Sequence, residues 1–147
     1  MRLRGEYNKY IDKISQDNDV RKMEQYTQHG SVSTLAHCQH VAALSCRLSE
    51  MFHLSVNHEE MIRGALLHDY FLYDWHEYRG ERLHGFEHPQ VALENALRDF
   101  DLTEKEQNII ESHMWPLTLG RIPQSREAVL VCIADKLCSI KETLMER

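Results

Sequence analysis

The stretch GALLHDYFLYDW, residues 64–75, decides how this chain is read. Ala65, Leu66 and Leu67 form an apolar run that ends on His68 and Asp69. A polar side chain on a buried stripe costs about 2–7 kcal/mol unless it finds a partner. A buried aspartate is almost never left unpaired. His68 follows Met61 and Ala65 at helical spacing. Two neighbours on a helix point about 100° apart. His68 and Asp69 can therefore hold one ion only from the end of the helix or from different sides. The plainer reading is that Asp69 caps a neighbouring helix or pairs with an arginine.

Outward from this stretch every segment long enough to classify has helical period, and no convincing alternating strand appears. Residues 6–15 and 18–26 read as two short charged helices, followed by a break at Gly30 and Ser31. A long helix is predicted over 33–52. Asn57 followed by Glu60 is a capping-box pattern that starts a helix over 58–71. Residues 72–87, aromatic, charged and bearing two glycines, read as a loop. Pro89 fits the first position of a helix running to 100. Thr103 with Glu106 caps a helix ending near 114. Pro116, Gly120 and Pro123 mark a second loop, and Ser125 caps a last helix over 126–145. The fold class is all-α: one helical bundle over 1–147, its core at about 33–145, with the helices of residues 1–28 packed on it.

Four more ligand-type side chains lie on or at the ends of these helices. On its helix His37 sits near the centre of a stripe with Val41, Leu44, Leu48 and Met51, while His40 lies on the flank. Alone, His37 is a core histidine bonded to a carbonyl. His113 shares a face with Ile109 and Ile110, or simply ends its helix. Asp135 lies in the run AVLVCIADKLCSI beside Ala128, Val131, Cys132 and Cys138, with no Arg or Lys on that stripe. His84 and His88 compete for one role. His88, at the predicted helix terminus, has the stiffer mount. Together His37, His68, Asp69, His88, His113 and Asp135 are six ligand-type residues in one small bundle, and helical bundles build metal sites this way.

Composition narrows the classes. The 147 residues suit one core, and apolar (42%) and charged (27%) fractions are those of a globular chain. The net charge of −6 argues against an extended nucleic-acid surface or an anionic membrane surface. No run approaches the roughly 18 apolar residues of a membrane span. Residues 1–16 lack the apolar core of a signal peptide, so a cytoplasmic location is expected. Cys38, Cys46, Cys132 and Cys138 form no C-x-x-C pair and read as reduced core residues. Ten histidines are an excess of the commonest metal ligand.

The ordered set resembles the HD superfamily of metal-dependent phosphohydrolases. The resemblance rests on His37 in HCQHVAALS, the doublet in GALLHDYFLYDW, Asp135 in IADKLCS, His88 in HPQVALENA and His113 in ESHMWPL. It covers about residues 33–145. It implies a helical bundle in which His37, His68, Asp69 and Asp135 hold a first metal. Asp69 would bridge to a second metal held also by His88 and His113. Leu72 stands where many one-metal nucleotidases of the family carry a glutamate, and the Gly-Tyr-Pro element of the cyclic-dinucleotide branch is absent. The set is closer to the diadenosine-polyphosphate hydrolases of the family. The inositol- and phosphonate-cleaving di-iron oxygenases share similar ligands.

The resemblance implies a phosphoric ester or anhydride hydrolase acting on a nucleotide or other small phosphorylated metabolite, with hydroxide held between the metals attacking phosphorus. The ligands suit one or two divalent ions of Fe, Zn, Mn, Co or Ni. Asp69 and Lys136 are the catalytic candidates. Lys136, Arg121, Arg79 and His84 are the candidate phosphate-binding groups, each equally readable as an ordinary surface group. Tyr70, Tyr73, Trp75 and Trp115 flank the ligands and could stack on a base or simply fill the core. A di-iron oxygenase cleaving a C–C or C–P bond and a non-catalytic nucleotide-binding module are the rival readings. The charged N-terminal helices could dock on the bundle or on a partner, as in a homodimer.

Overall fold

The computed structural model describes residues 2–77 and 84–145, with the side chains of 2–4 and 77 left aside. Arg79 and much of the expected loop over 72–87 lie outside the described residues. Seven α-helices are present among them: α1 (Arg2–Ser15), α2 (Asn18–Arg21), α3 (Thr34–Met51), α4 (His58–Leu67), α5 (His84–Asp99), α6 (Glu104–Ser112) and α7 (Arg126–Met145). Single 3-10 turns occupy Lys22–Gln25 and Trp75–Glu77. The all-α expectation holds with one correction. A small antiparallel hairpin, β1 (Thr27–His29) and β2 (Val32–Ser33), closes over Gly30 and Ser31. Gly30 adopts φ 57°, a left-handed conformation that glycine reaches at little cost.

Local chemistry sets the helix ends. The Ser33 hydroxyl accepts from the Ala36 amide at 3.0 Å and starts α3. Thr103 and Glu106 form the full reciprocal capping box of α6, at 3.1 and 2.9 Å. Ser125 caps α7 through the Ala128 amide at 3.0 Å. The box expected for α4 forms only by half. Asn57 accepts from the Glu60 amide, but the Glu60 carboxylate accepts the Thr103 hydroxyl at 2.6 Å instead. The Asn57 amide turns to Glu127. Helix α4 also stops at Leu67 rather than at 71, with His68 as its C-cap. That early stop frees Asp69 from the helical direction of its neighbour.

Helices α3, α4, α6 and α7 pack around the core, with α5 against α6 and α1 against α3 and α4. Val41, Met61, Leu66, Ile109, Ile110 and Val131 are fully buried there. Helix α1 buries Tyr7 and Ile11 on the bundle, and the Tyr7 hydroxyl meets His58 Nε2 at 2.9 Å. The four cysteines are free and buried, as expected. Gly64 brings α4 and α6 together: a Cβ added there would meet three side-chain atoms of Ile109 at 2.8–2.9 Å. No helix among the described residues is long and apolar enough to cross a membrane.

Candidate metal centre

The six residues converge. The candidate ligand atoms of His37, His68, Asp69 and Asp135 lie within 4.8 Å of one another, and so do those of Asp69, His88 and His113. Asp69 belongs to both groups, one oxygen to each. Its Oδ2 lies 3.4 Å from His37 Nε2 and 3.2 Å from His68 Nε2. Its Oδ1 lies 3.2 Å from His88 Nε2 and 3.4 Å from His113 Nε2. Asp135 Oδ1 completes the first group at 2.8 Å from His37 Nε2 and 3.2 Å from His68 Nε2.

Partners on the far side of each ring orient it. A carbonyl only accepts, so His68 Nδ1 donates to Ala65 O, His113 Nδ1 to Ile110 O and His88 Nδ1 to His84 O. His37 Nδ1 donates to the Glu142 carboxylate at 2.8 Å. In the neutral form every Nε2 then carries a lone pair, and all four lone pairs face carboxylate oxygens or one another. His88 Nε2 and His113 Nε2 stand 2.7 Å apart. Asp69 Oδ1 is buried with no hydrogen-bond donor. Such a set needs protons or cations to be stable.

Protons relieve only half of it. Burial opposes a charge on His37, but hydrogen bonds to Asp135 and Glu142 prevail and push its pKa up to about 10. Burial likewise opposes a charge on His68, and the Asp69 carboxylate overcomes it, raising the pKa well above the usual value. Burial favours the neutral forms of Asp69 and Asp135 too, yet the adjacent imidazoles hold both carboxyls below their ordinary range. The second group behaves differently. Burial lowers the pKa of His113, the nearby Asp69 carboxylate opposes the shift, and His68 and His88 reinforce it. His88, His113 and Asp69 are the residues that would hold a second cation, which would satisfy all three. The donor set, four imidazoles and two carboxylates, fits divalent Fe, Zn, Mn, Co or Ni.

The local structure corrects one expectation at this point. His88 is not an N-cap; α5 begins a turn earlier, at His84, and Pro89 lies inside the helix. Pro89 has no N–H, so the Gly85 carbonyl loses its partner in the helical ladder. The earlier start stacks the His84 and His88 rings at 4.3 Å, 14° from parallel. Of the two competing histidines, His88 joins the six. His84 stands behind it, its Nδ1 2.8 Å from the Tyr73 hydroxyl and its ring stacked on Trp75. Burial and the neighbouring His88 charge lower its pKa to about 3.

The candidate phosphate-binding groups fare unevenly. Lys136 lies beside the second group, its ammonium donating to His113 O at 3.2 Å and to Cys132 O and Sγ. Arg121 is not brought to the six. It lines a surface cleft with Phe86, Gln90 and Glu94, and none of the six borders that cleft. Tyr70 is a core residue, its hydroxyl donating to Asp99 at 2.7 Å.

Two contributors escaped the reading from sequence. Glu142 holds His37 through one oxygen and His40 through the other. It follows Asp135 by two helical turns, so the period of α7 could have flagged it. Gln28, on β1, donates to Asp69 Oδ2 at 3.1 Å and is braced by Thr34. No signal in the sequence pointed to it. His29 stands beside the first group as well, its ring 5.6 Å from that of His37.

A mainly helical bundle that gathers four buried imidazoles and two carboxylates at its centre is an arrangement suited to holding divalent metal. The family model of the HD domain matches residues 34–140, and the chain belongs to the HD-domain family. Comparison with curated proteins gave no match, and comparison with solved structures gave none.

Proposed function

We propose that the protein is a two-metal phosphohydrolase acting on a nucleotide or other small phosphorylated metabolite. The observation that carries this reading is the division of Asp69, with Oδ2 serving one histidine group and Oδ1 the other. Two divalent ions would supply Lewis acidity toward a phosphoryl oxygen and lower the pKa of water towards about 7. His37, His68 and Asp135 would hold one ion, His88 and His113 the other, and Asp69 both. Glu142 and the carbonyls of Ala65, Ile110 and His84 fix the tautomer that presents each Nε2 inward. Gln28 keeps Asp69 from rotating.

Among the six, His88 and Asp135 are the most accessible, at 5% and 6%. Substrate would therefore approach between α5 and α7. Lys136, tied to His113 O at this rim, places a cation where an anionic phosphate would arrive. His84, kept neutral, and Trp75 would flank the entrance as a stacking surface for a base.

The test is elemental analysis of the purified protein joined to a phosphate-release screen over nucleotides, dinucleoside polyphosphates and sugar phosphates. About two metals per chain and oxygen-independent phosphate release support the reading. Activity that requires dioxygen and releases no phosphate from esters would replace it with oxygenase chemistry.

A further inference from the structure

Helix α7 is apolar on two opposite sides. Its inner side buries Ala128, Val131, Ala134 and Cys138 and carries Asp135 and Glu142 to the metal centre. Its outer side exposes Val129, Ile133, Leu137, Ile140 and Leu144, each between 43% and 59% accessible. These five recur at spacings of four, four, three and four residues, and so fall within about 80° of one another on the helix. The stripe lies opposite the buried one. A helix that is apolar all round belongs in an interior, yet the described bundle covers only half of α7.

The exposed stripe continues onto the end of α3. Met51 and Phe52 are 64% and 62% accessible. Leu48, Phe52, Leu54, Val129, Leu130 and Ile133 share one cleft of about 450 Å³ alongside the stripe. At these exposures the seven residues Met51, Phe52, Val129, Ile133, Leu137, Ile140 and Leu144 leave on the order of 700 Å² accessible, close to the roughly 800 Å² that one partner contributes to a standard interface and larger than the patches most monomers expose.

We infer that this face docks a second copy of the chain, with α7 crossing its mate in a twofold homodimer. A twofold contact sets a patch against itself, and this one can meet itself without conflict because the five stripe residues carry no charge. Of the charged residues on α7, Glu127, Asp135 and Glu142 are buried, and Lys136 is held by the carbonyls of His113 and Cys132. Arg126, at the edge of the cleft, donates to Ser55 O, and Lys141 is exposed. Two cations are too few for an anionic membrane or nucleic acid. Helix α1, the surface the sequence offered for docking, already spends Tyr7 and Ile11 on its own bundle. The interface lies on the side of α7 away from the metal centre, so pairing and metal binding are separable.

Light scattering on the size-fractionated full chain at high micromolar concentration tests this. The expected mass is twice the 17.4 kDa of one chain. Ile133→Glu with Ile140→Glu should return it to one chain while helical content and metal stoichiometry stay unchanged. A monomeric wild type, or a double variant that remains dimeric, overturns the inference. Should the double variant fail to fold, Leu137→Cys serves instead. Leu137 lies near the midpoint of the stripe, and mild oxidation should link two chains through it. Absence of that link likewise overturns the proposal.

Discussion

His88 Nε2 and His113 Nε2 face each other at 2.7 Å, each with its Nδ1 committed to a backbone carbonyl. Two acceptor nitrogens at this distance repel unless something positive joins them. The second group is therefore arranged for a cation rather than for a hydrogen-bonded core. Replacing either His88 or His113 by alanine should lower the metal content from two to one per chain, as read by elemental analysis. Two metals retained in His88→Ala would transfer the ligand role to His84.

Glu142 sits behind His37 as the other rings have carbonyls behind them, but with a full charge. Its partners pull its pKa down to about 2 against the effect of burial, so it is ionised throughout the working range. Glu142→Gln removes the charge that strengthens His37 as a donor. Partners of this kind typically contribute 10–100-fold to metal affinity. The variant should weaken one metal by about that factor in a chelator competition and leave the other unchanged. Equal weakening of both would point to a general loss of structure.

The sign of the pH dependence follows from the same groups. In the metal-free protein the raised pKa of His37, about 10, stabilises the fold fully below about 6.5 and is lost as pH rises through 10. The lowered pKa of His84, about 3, acts the other way: its contribution is present above about 6.5 and lost as pH falls towards 3. Metal must displace the proton of His37, so affinity should rise with pH up to about 10. The gain in melting temperature on adding Zn or Mn should be larger at pH 8.5 than at pH 6, and binding should release protons in weak buffer. A gain independent of pH contradicts this assignment.

Gly64 controls the approach of the two helices that carry His68 and His113, whose rings lie 4.7 Å apart. In Gly64→Ala the added methyl meets Ile109, including its Cβ, which cannot swing away. Overpacking of this kind costs about 1–3 kcal/mol, partly offset by the roughly 1 kcal/mol better helix propensity of alanine. Thermal unfolding should show a loss of a few degrees, and the second metal should bind more weakly than the first.

The residues legible in the sequence were those whose chemistry interrupts a strong helical period. His37 and Asp135 stand on apolar stripes, and the structure buries both. His68 and Asp69 close the apolar run of α4, but the helix expected to continue to 71 stops at Leu67. Local rules misled where two of them competed. Pro89 reads as a first helical residue, but α5 begins at His84 and carries Pro89 inside it, with the His84 ring stacked on His88. Asn57 and Glu60 read as a reciprocal box, but Thr103 offers Glu60 a hydroxyl from another helix. Glu142 interrupts no apolar run of its own and is marked only by its place two turns beyond Asp135 on α7. Gln28 reaches Asp69 only because a seven-residue hairpin, its strands too short to show alternation, turns it inward.

The central claim is that Asp69 joins two metals in one hydrolytic site. Metal content and phosphate release, measured together on wild type and Asp69→Ala, test it most directly. About two ions per chain in the wild type, at most weak residual binding in the variant, and loss of turnover are the predicted results. An Asp69→Ala protein that keeps both ions, or that still turns over, would contradict it.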